Sequence, residues 1–206
     1  MATTHQKIEQ GARSREALLD AAIELIAEGG YTATGVDAIA RRSGVVKSAL
    51  YWHFGSKDGL LIAALERTAR EWVAEFEAAV VESAEPQQRL ENLLARVRDL
   101  FLDRPDRVRL ILAALIERGS TNEEIREGVA RIMDVMRNAI ARGMSLLPVE
   151  SHRIEGLASL TLETLAGVFL DHYANDDLEL FEKRMKVVRK MIGVMVEAEL
   201  KAAVAR

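Results

Sequence analysis

The sequence predicts an all-α protein of about nine helices, a small N-terminal bundle joined by one long helix to a larger C-terminal set. Three observations carry that prediction. Apolar residues recur at helical spacing in nearly every segment after residue 12, and no alternating run of strand type interrupts them. Glycine and proline are sparse, with 13 and three residues, and the prolines all fall at segment boundaries. Apolar residues fill 49% and charged residues 29% of the 206 positions, the composition of an ordered chain that can bury a sizeable core.

Each element has a local reason. Ala17, Leu18, Ala21, Ala22, Leu25 and Ile26 make one stripe, stopped by Gly29 and Gly30, which tolerate the left-handed conformation. Thr34 is placed to cap a short second helix through Val36, Ile39 and Ala40, closed by Gly44. A third short helix follows over 47–53. Ser56 caps the long fourth helix, Asp58 sits in its first turn where the helix dipole favours an anion, and Gly59 weakens that turn slightly. This helix is expected to reach about residue 83, roughly 40 Å at the usual rise. Further helices are expected over Pro86–Asp103, Pro105–Arg118, 122–144, 149–173 and from 178 to the end. The domain boundary is placed at the third-to-fourth helix junction, giving domains 1–58 and 59–206. No internal repeat or low-complexity tract is found.

Composition also narrows function. No apolar run approaches the roughly 20 residues that span a bilayer, and the start lacks a secretory h-region, so a cytoplasmic protein without membrane association is expected. The absence of cysteine removes disulfides, thiolate metal sites and cysteine nucleophiles. Glu-x-x-His pairs, HExxH, GxSxG, a Walker loop and GxGxxG are all missing, so no enzyme, metal or cofactor is expected. A net charge of -4 argues against a generally DNA-coating surface. The distribution is uneven, however: from 38 to 57 the charges are Arg41, Arg42, Lys47 and Lys57, with no acid.

Within that stretch lies GVVKSALYWHFGSKDGLL, with three aromatics in four positions. On a helical wheel started at Lys47, Lys47, Tyr51, Ser48 and Trp52 fall on one arc between about 0° and 140°. Leu50 and Phe54 fall on the other and can enter the core, with Ala49 and His53 on or near that arc. An exposed patch of lysine, serine, tyrosine and tryptophan signals a partner, and its chemistry suits base edges, thymine methyls and phosphates. Burial of Tyr51 and Trp52 in the core is the plainer alternative. Ala40, Gly44 and Leu50 stand at helix-turn-helix intervals: a small residue for close approach, a glycine for the turn, an apolar lock for the second helix.

The string GYTATGVDAIARRSGVVKSALYWHFGSKDGLL closely resembles the DNA-binding domain of the tetracycline-repressor family of bacterial transcription regulators. That resemblance covers residues 13–62, and beyond them rests on length and helix count. It implies an N-terminal helix-turn-helix DNA-binding domain and a C-terminal effector-binding and dimerisation domain. The protein would be a homodimer whose third helices enter successive major grooves of a near-palindromic operator, about 34 to 36 Å apart. By position, Thr34 would contact phosphate, Lys47 phosphate or a base, and Ser48, Ala49 and Trp52 base edges. Tyr51, His53 and Lys57 would hold the backbone, with packing or capping as the alternative for His53. Arg41 and Arg42 fit a solvated or phosphate-steering role. Ser48 replaces a frequent glycine and Trp52 a commoner tyrosine or histidine, which bears on the readout.

In the larger half, antiparallel pairs of the last two helices would form a four-helix seam with a second subunit through Gly156, Gly167, Val187, Met191, Val194 and Met195, intrachain core being the alternative for many of these. An effector cavity is expected among Trp72, Phe76, Phe101, Leu112, Met133, Met136, Thr161, Thr164, Phe169 and Tyr173, side chains that equally make ordinary core. Arg109, Glu163 and His172 are the polar members that could orient a small-molecule effector or pair with neighbours. The resemblance implies release from the operator on effector binding, so a ligand-responsive repressor is expected. The rival reading is a helical adaptor that keeps the fold and binds a protein through Tyr51 and Trp52.

Overall fold

The computed structural model describes residues 2–81, 86–145 and 149–204. Nine helices and no strand occur among them: α1 (Ala2–Gly29), α2 (Val36–Ser43), α3 (Lys47–Phe54), α4 (Lys57–Val81), α5 (Pro86–Asp103), α6 (Pro105–Arg118), α7 (Glu123–Met144), α8 (Ser151–Asn175) and α9 (Leu178–Val204). No helix among the described residues is long and apolar enough to cross a membrane. The all-helical expectation holds element by element, with α1 starting at Ala2, well before the apolar stripe that opens at Ala17.

Local chemistry accounts for most ends. Gly30 follows α1 at φ 83°, and its N–H donates to the Ile26 carbonyl at 2.9 Å. Gly44 closes α2 in the left-handed region at φ 69°. The Ser56 hydroxyl accepts the Gly59 N–H at 2.9 Å, the cap expected at the start of α4. Asn122 caps α7 by accepting the Ile125 N–H at 3.2 Å, and Asp177 caps α9 by accepting the Leu180 N–H at 2.9 Å. The cap expected of Thr34 is a correction: Gly35 occupies that position and no side chain caps α2. Thr34 is buried, and its hydroxyl donates to the carbonyls of Gly30 at 2.7 Å and Leu25 at 3.1 Å, tying the loop down onto the end of α1.

Two compact units make up the chain. One runs through Arg70 and takes in Asp103–Ile132; the other holds Glu71–Leu102 and the residues from Met133 on. Packing thus divides the chain within α4 rather than at residue 58, and places α6 with the N-terminal helices. The reason lies in α6 itself, which packs against α1 and buries Leu110, Ile111 and Ala114. The first unit's core is completed by Leu18, Leu19, Ala22, Ile23 and Ile26 of α1, Ile39 of α2, Leu50 of α3, and Leu60, Leu61, Ala64 and Leu65 of α4. In the second unit α8 packs on α9. Trp72, Phe101, Phe169 and Phe181 form a continuous ring series there, with Phe101 and Phe169 stacked face to face. Ion pairs Arg98 to Glu182 and Arg184 to Asp171 fasten α9 to α5 and α8.

Candidate nucleic-acid interface

α3 is positioned from beneath. Leu50 is fully buried, α3 packs on both α1 and α2, and the Gly55 N–H closes the helix onto the Tyr51 carbonyl at 2.9 Å. With that anchor set, helical geometry decides the rest: Lys47, Ser48, Tyr51 and Trp52 are exposed, Tyr51 at 48% and Trp52 at 79%. Neither aromatic is core. Val46, which precedes the helix, is 69% exposed and adds an apolar surface beside them. Ala49 is half-buried, as its place near the inner arc requires.

Two residues expected at this surface face elsewhere. Thr34 is buried, as described. Lys57 turns inward: its ammonium donates to the Tyr31 carbonyl and lies 3.9 Å from the Tyr31 ring centroid. Burial pushes the Lys57 ammonium below its ordinary value, against the opposing pull of Glu117 and Asp58. His53 is half-buried, edge-on to Trp52 at 4.5 Å between ring centroids, and beside a hollow also lined by Arg15, Ser56 and Asp58. Burial, then the Arg15 charge, lowers its pKa, so the ring is largely uncharged at neutral pH.

The inward turn of Lys57 belongs to a polar cluster under the helix-turn-helix. The Tyr31 hydroxyl donates to Asp58, which also accepts from Arg118 at 2.6 Å and Asn122 at 3.1 Å. The Glu117 carboxylate accepts the backbone N–H groups of Tyr31 at 2.9 Å and Thr32 at 2.7 Å. Burial would raise the Asp58 carboxyl, but the hydrogen bonds from Tyr31, Arg118 and Asn122 outweigh it and hold the group below the usual carboxylate range. Nothing in the sequence marks this cluster, because its members lie up to 86 residues apart. Asp37 is the other residue that motif reading passes over: it holds Lys47, with Nζ 3.0 Å from Oδ1.

Of the residues expected to line an effector cavity, Trp72, Phe76, Phe101, Met136, Thr161 and Phe169 are buried in the second unit. Met133, Thr164, His172 and Tyr173 are half-buried there, and the Thr164 hydroxyl is spent on the Leu160 carbonyl at 2.8 Å. Arg109, exposed, and Leu112, half-buried, belong to the first unit instead. Glu163 is exposed. Among the described residues Thr161 Oγ1 and His172 Nδ1 are buried without a hydrogen-bond partner, three turns apart on one side of α8. On the expected seam, Gly156, Gly167, Val187 and Val194 are exposed, while Met191 and Met195 are half-buried.

Residues 18–64, which span the end of α1, α2, α3 and the start of α4, match the family model described as bacterial regulatory proteins, tetR family. The fatty acid metabolism regulator protein of Bacillus subtilis (strain 168) is 27% identical over 141 residues, 68% of this chain and 71% of that protein. The HTH-type transcriptional repressor KstR of Mycolicibacterium smegmatis is 29% identical over 131 residues, 64% of this chain and 63% of its own length. Among solved structures, a transcriptional regulator from Rhodococcus sp. Rha1 shares the fold with a TM-score of 0.76 at 22% identity, over 89% of this chain and 96% of that one. A buried Leu50 beneath an outward third helix fits that shared fold, and residues 18–64 belong to the tetR family of bacterial regulatory proteins, a family of helix-turn-helix transcription regulators rather than enzymes.

Proposed function

We propose that this protein is a cytoplasmic repressor that binds a near-palindromic operator as a homodimer and leaves it when a small-molecule effector binds. The observation that carries the DNA half is the exposed set Lys47, Ser48, Tyr51 and Trp52 above a buried Leu50. Lys47 and Tyr51 hold phosphate, while Ser48 and Trp52, with Ala49 beside them, meet base edges. His53 supports the Trp52 ring more than it meets phosphate. Lys57 and Thr34 serve the fold rather than the contact.

Two further features support the rest of this reading. Exposed Leu160, Leu170, Val187 and Val194, with exposed Gly156 and Gly167 on the same face of α8, leave a stripe on α8 and α9 that a second subunit's pair would cover. The Thr161 hydroxyl and the His172 nitrogen, without a hydrogen-bond partner among the described residues, with His172 set beside the Phe181 ring, suit an apolar effector with a polar end. The name of the Bacillus subtilis relative makes acyl compounds the first class to screen. Coupling of about 1 to 3 kcal/mol between effector and operator would weaken DNA binding roughly 5- to 150-fold.

Fluorescence anisotropy on duplex DNA across a salt series tests the reading. Binding should weaken steeply with salt, Lys47→Ala should reduce the slope, and Trp52→Ala should erase preference among sequences while leaving salt-dependent binding. Salt-insensitive or absent duplex binding would instead favour a protein-binding adaptor. For the effector, a compound that raises Tm without loosening operator binding in a gel shift argues against the switch.

A further inference from the structure

The sequence places no acid between 38 and 57, yet tertiary structure brings acids from outside onto the cations of that stretch. Glu24 of α1 takes Arg42 through two nitrogens, with Nε at 2.8 Å. Asp37, in the first turn of α2, takes Lys47, the first residue of α3: Nζ lies 3.0 Å from Oδ1 and 3.2 Å from Oδ2. Both partners of this second pair are exposed, the side chains at 48% for Lys47 and 68% for Asp37. An ion pair so open to water adds little to stability. Its position matters more than its strength. Lys47 stands on the outward arc of α3, so a phosphate that reached Lys47 would meet the Asp37 carboxylate about an ion's width away, and like charges at such a distance repel even in water.

We propose that Asp37 is a built-in competitor for the DNA phosphate at Lys47, a residue that sets how tightly any duplex is held. The carboxylate must give up the ammonium, or stand beside the phosphate, before the contact forms. Either way binding is weakened alike for every sequence, and Asp37 touches none of the preference that Ser48 and Trp52 supply. The hydrogen bond to Asp37 also raises the Lys47 pKa, so the contest is between full charges throughout the neutral range. Glu24 plays no part at Lys47, since it is engaged with Arg42. The inference rests on the phosphate contact assigned to Lys47 above.

A double-mutant cycle on the full-length protein decides it, read by anisotropy of a fluorescein-labelled duplex of random sequence across a KCl series. Asp37→Asn should bind about 3- to 10-fold tighter than wild type at low salt, the gain shrinking as salt rises. Asp37→Ser, which keeps a small polar residue in the first turn of α2, should do the same, and Tm should fall only slightly in both, by the loss of an acid at the N-terminus of α2. In a Lys47→Ala background the gain should vanish, so that the double variant binds as Lys47→Ala alone. The proposal is overturned if Asp37→Asn binds no tighter than wild type, or if the same gain persists without Lys47, which would mark a general charge effect. Wild-type binding that falls with salt while Lys47→Ala binds equally well removes the Lys47 contact and this proposal with it. A lost gain with an intact Lys47 effect removes the proposal alone.

Discussion

Leu50 and Trp52 stand two positions apart on α3 and have opposite environments, fully buried and 79% exposed. Truncating Leu50 to alanine opens a cavity under α3 and should cost about 2 to 5 kcal/mol in urea denaturation. Trp52→Ala removes only surface contacts and should leave the denaturation midpoint near wild type, while duplex DNA of different sequences is no longer distinguished. Asp58 carries the third residue-scale prediction. Its carboxyl is held below the ordinary range by Tyr31, Arg118 and Asn122, so the charged form contributes stability above the unfolded-chain pKa, near 4. That contribution is lost as pH falls through the lowered folded value. Asp58→Asn should therefore destabilise the protein by about 1.5 to 3 kcal/mol at pH 7, where a charged partner of Arg118 is lost. The gap to wild type should begin to narrow as pH falls below about 4 and close below the lowered folded value, and a gap that stays equal from pH 7 down through that range would contradict the assignment.

At the scale of elements, Gly44 at the end of α2 and Gly59 in the first turn of α4 act for different reasons. Gly44 adopts φ 69° with open space where a side chain would go, so its need is conformational only. Gly59 has an ordinary backbone, but a Cβ there would stand 2.1 Å from the Phe54 carbonyl oxygen. Reading Gly59 as a weak spot in the first turn of α4 therefore misses its use, which is to let α4 pass close under the end of α3. Urea midpoints should order the variants: Gly44→Asn nearest to wild type, Gly44→Ala lower by about 1 to 2 kcal/mol, and Gly59→Ala lower still. Helix extents were legible from apolar spacing, Ser56, Asn122 and the prolines because these act within one turn. Thr34 and Gly35 are both acceptable at the cap of α2, and the carbonyls of Leu25 and Gly30, which bind the Thr34 hydroxyl, leave the position to Gly35.

For the whole molecule the proposed assembly carries the prediction. Val187 and Val194, 65% and 59% exposed, lie two turns apart on α9. A glutamate at each would place charge in the middle of a four-helix seam, while leaving either unit's interior untouched. The doubly substituted protein should run as a monomer in light scattering, melt as a folded protein, and bind duplex DNA far more weakly, since one half-site contact replaces two. Retained dimer mass would place the interface elsewhere.

By itself the sequence determined the helices, the Ser56 cap of α4 and the division of α3 into an anchored and an outward arc. Periodicity and capping are properties of neighbouring residues, and need no knowledge of the rest of the chain. Tertiary structure alone decided which charges are available. A stretch without acids becomes a surface whose Arg42 and Lys47 are held by Glu24 and Asp37, and whose Lys57 is folded under Tyr31. The packing of α6 on α1, which brings Glu117, Arg118 and Asn122 to Tyr31 and Asp58, was equally out of reach. An ion pair depends on distance in space, and two carboxylates at any separation along the chain look alike until the fold chooses their neighbours.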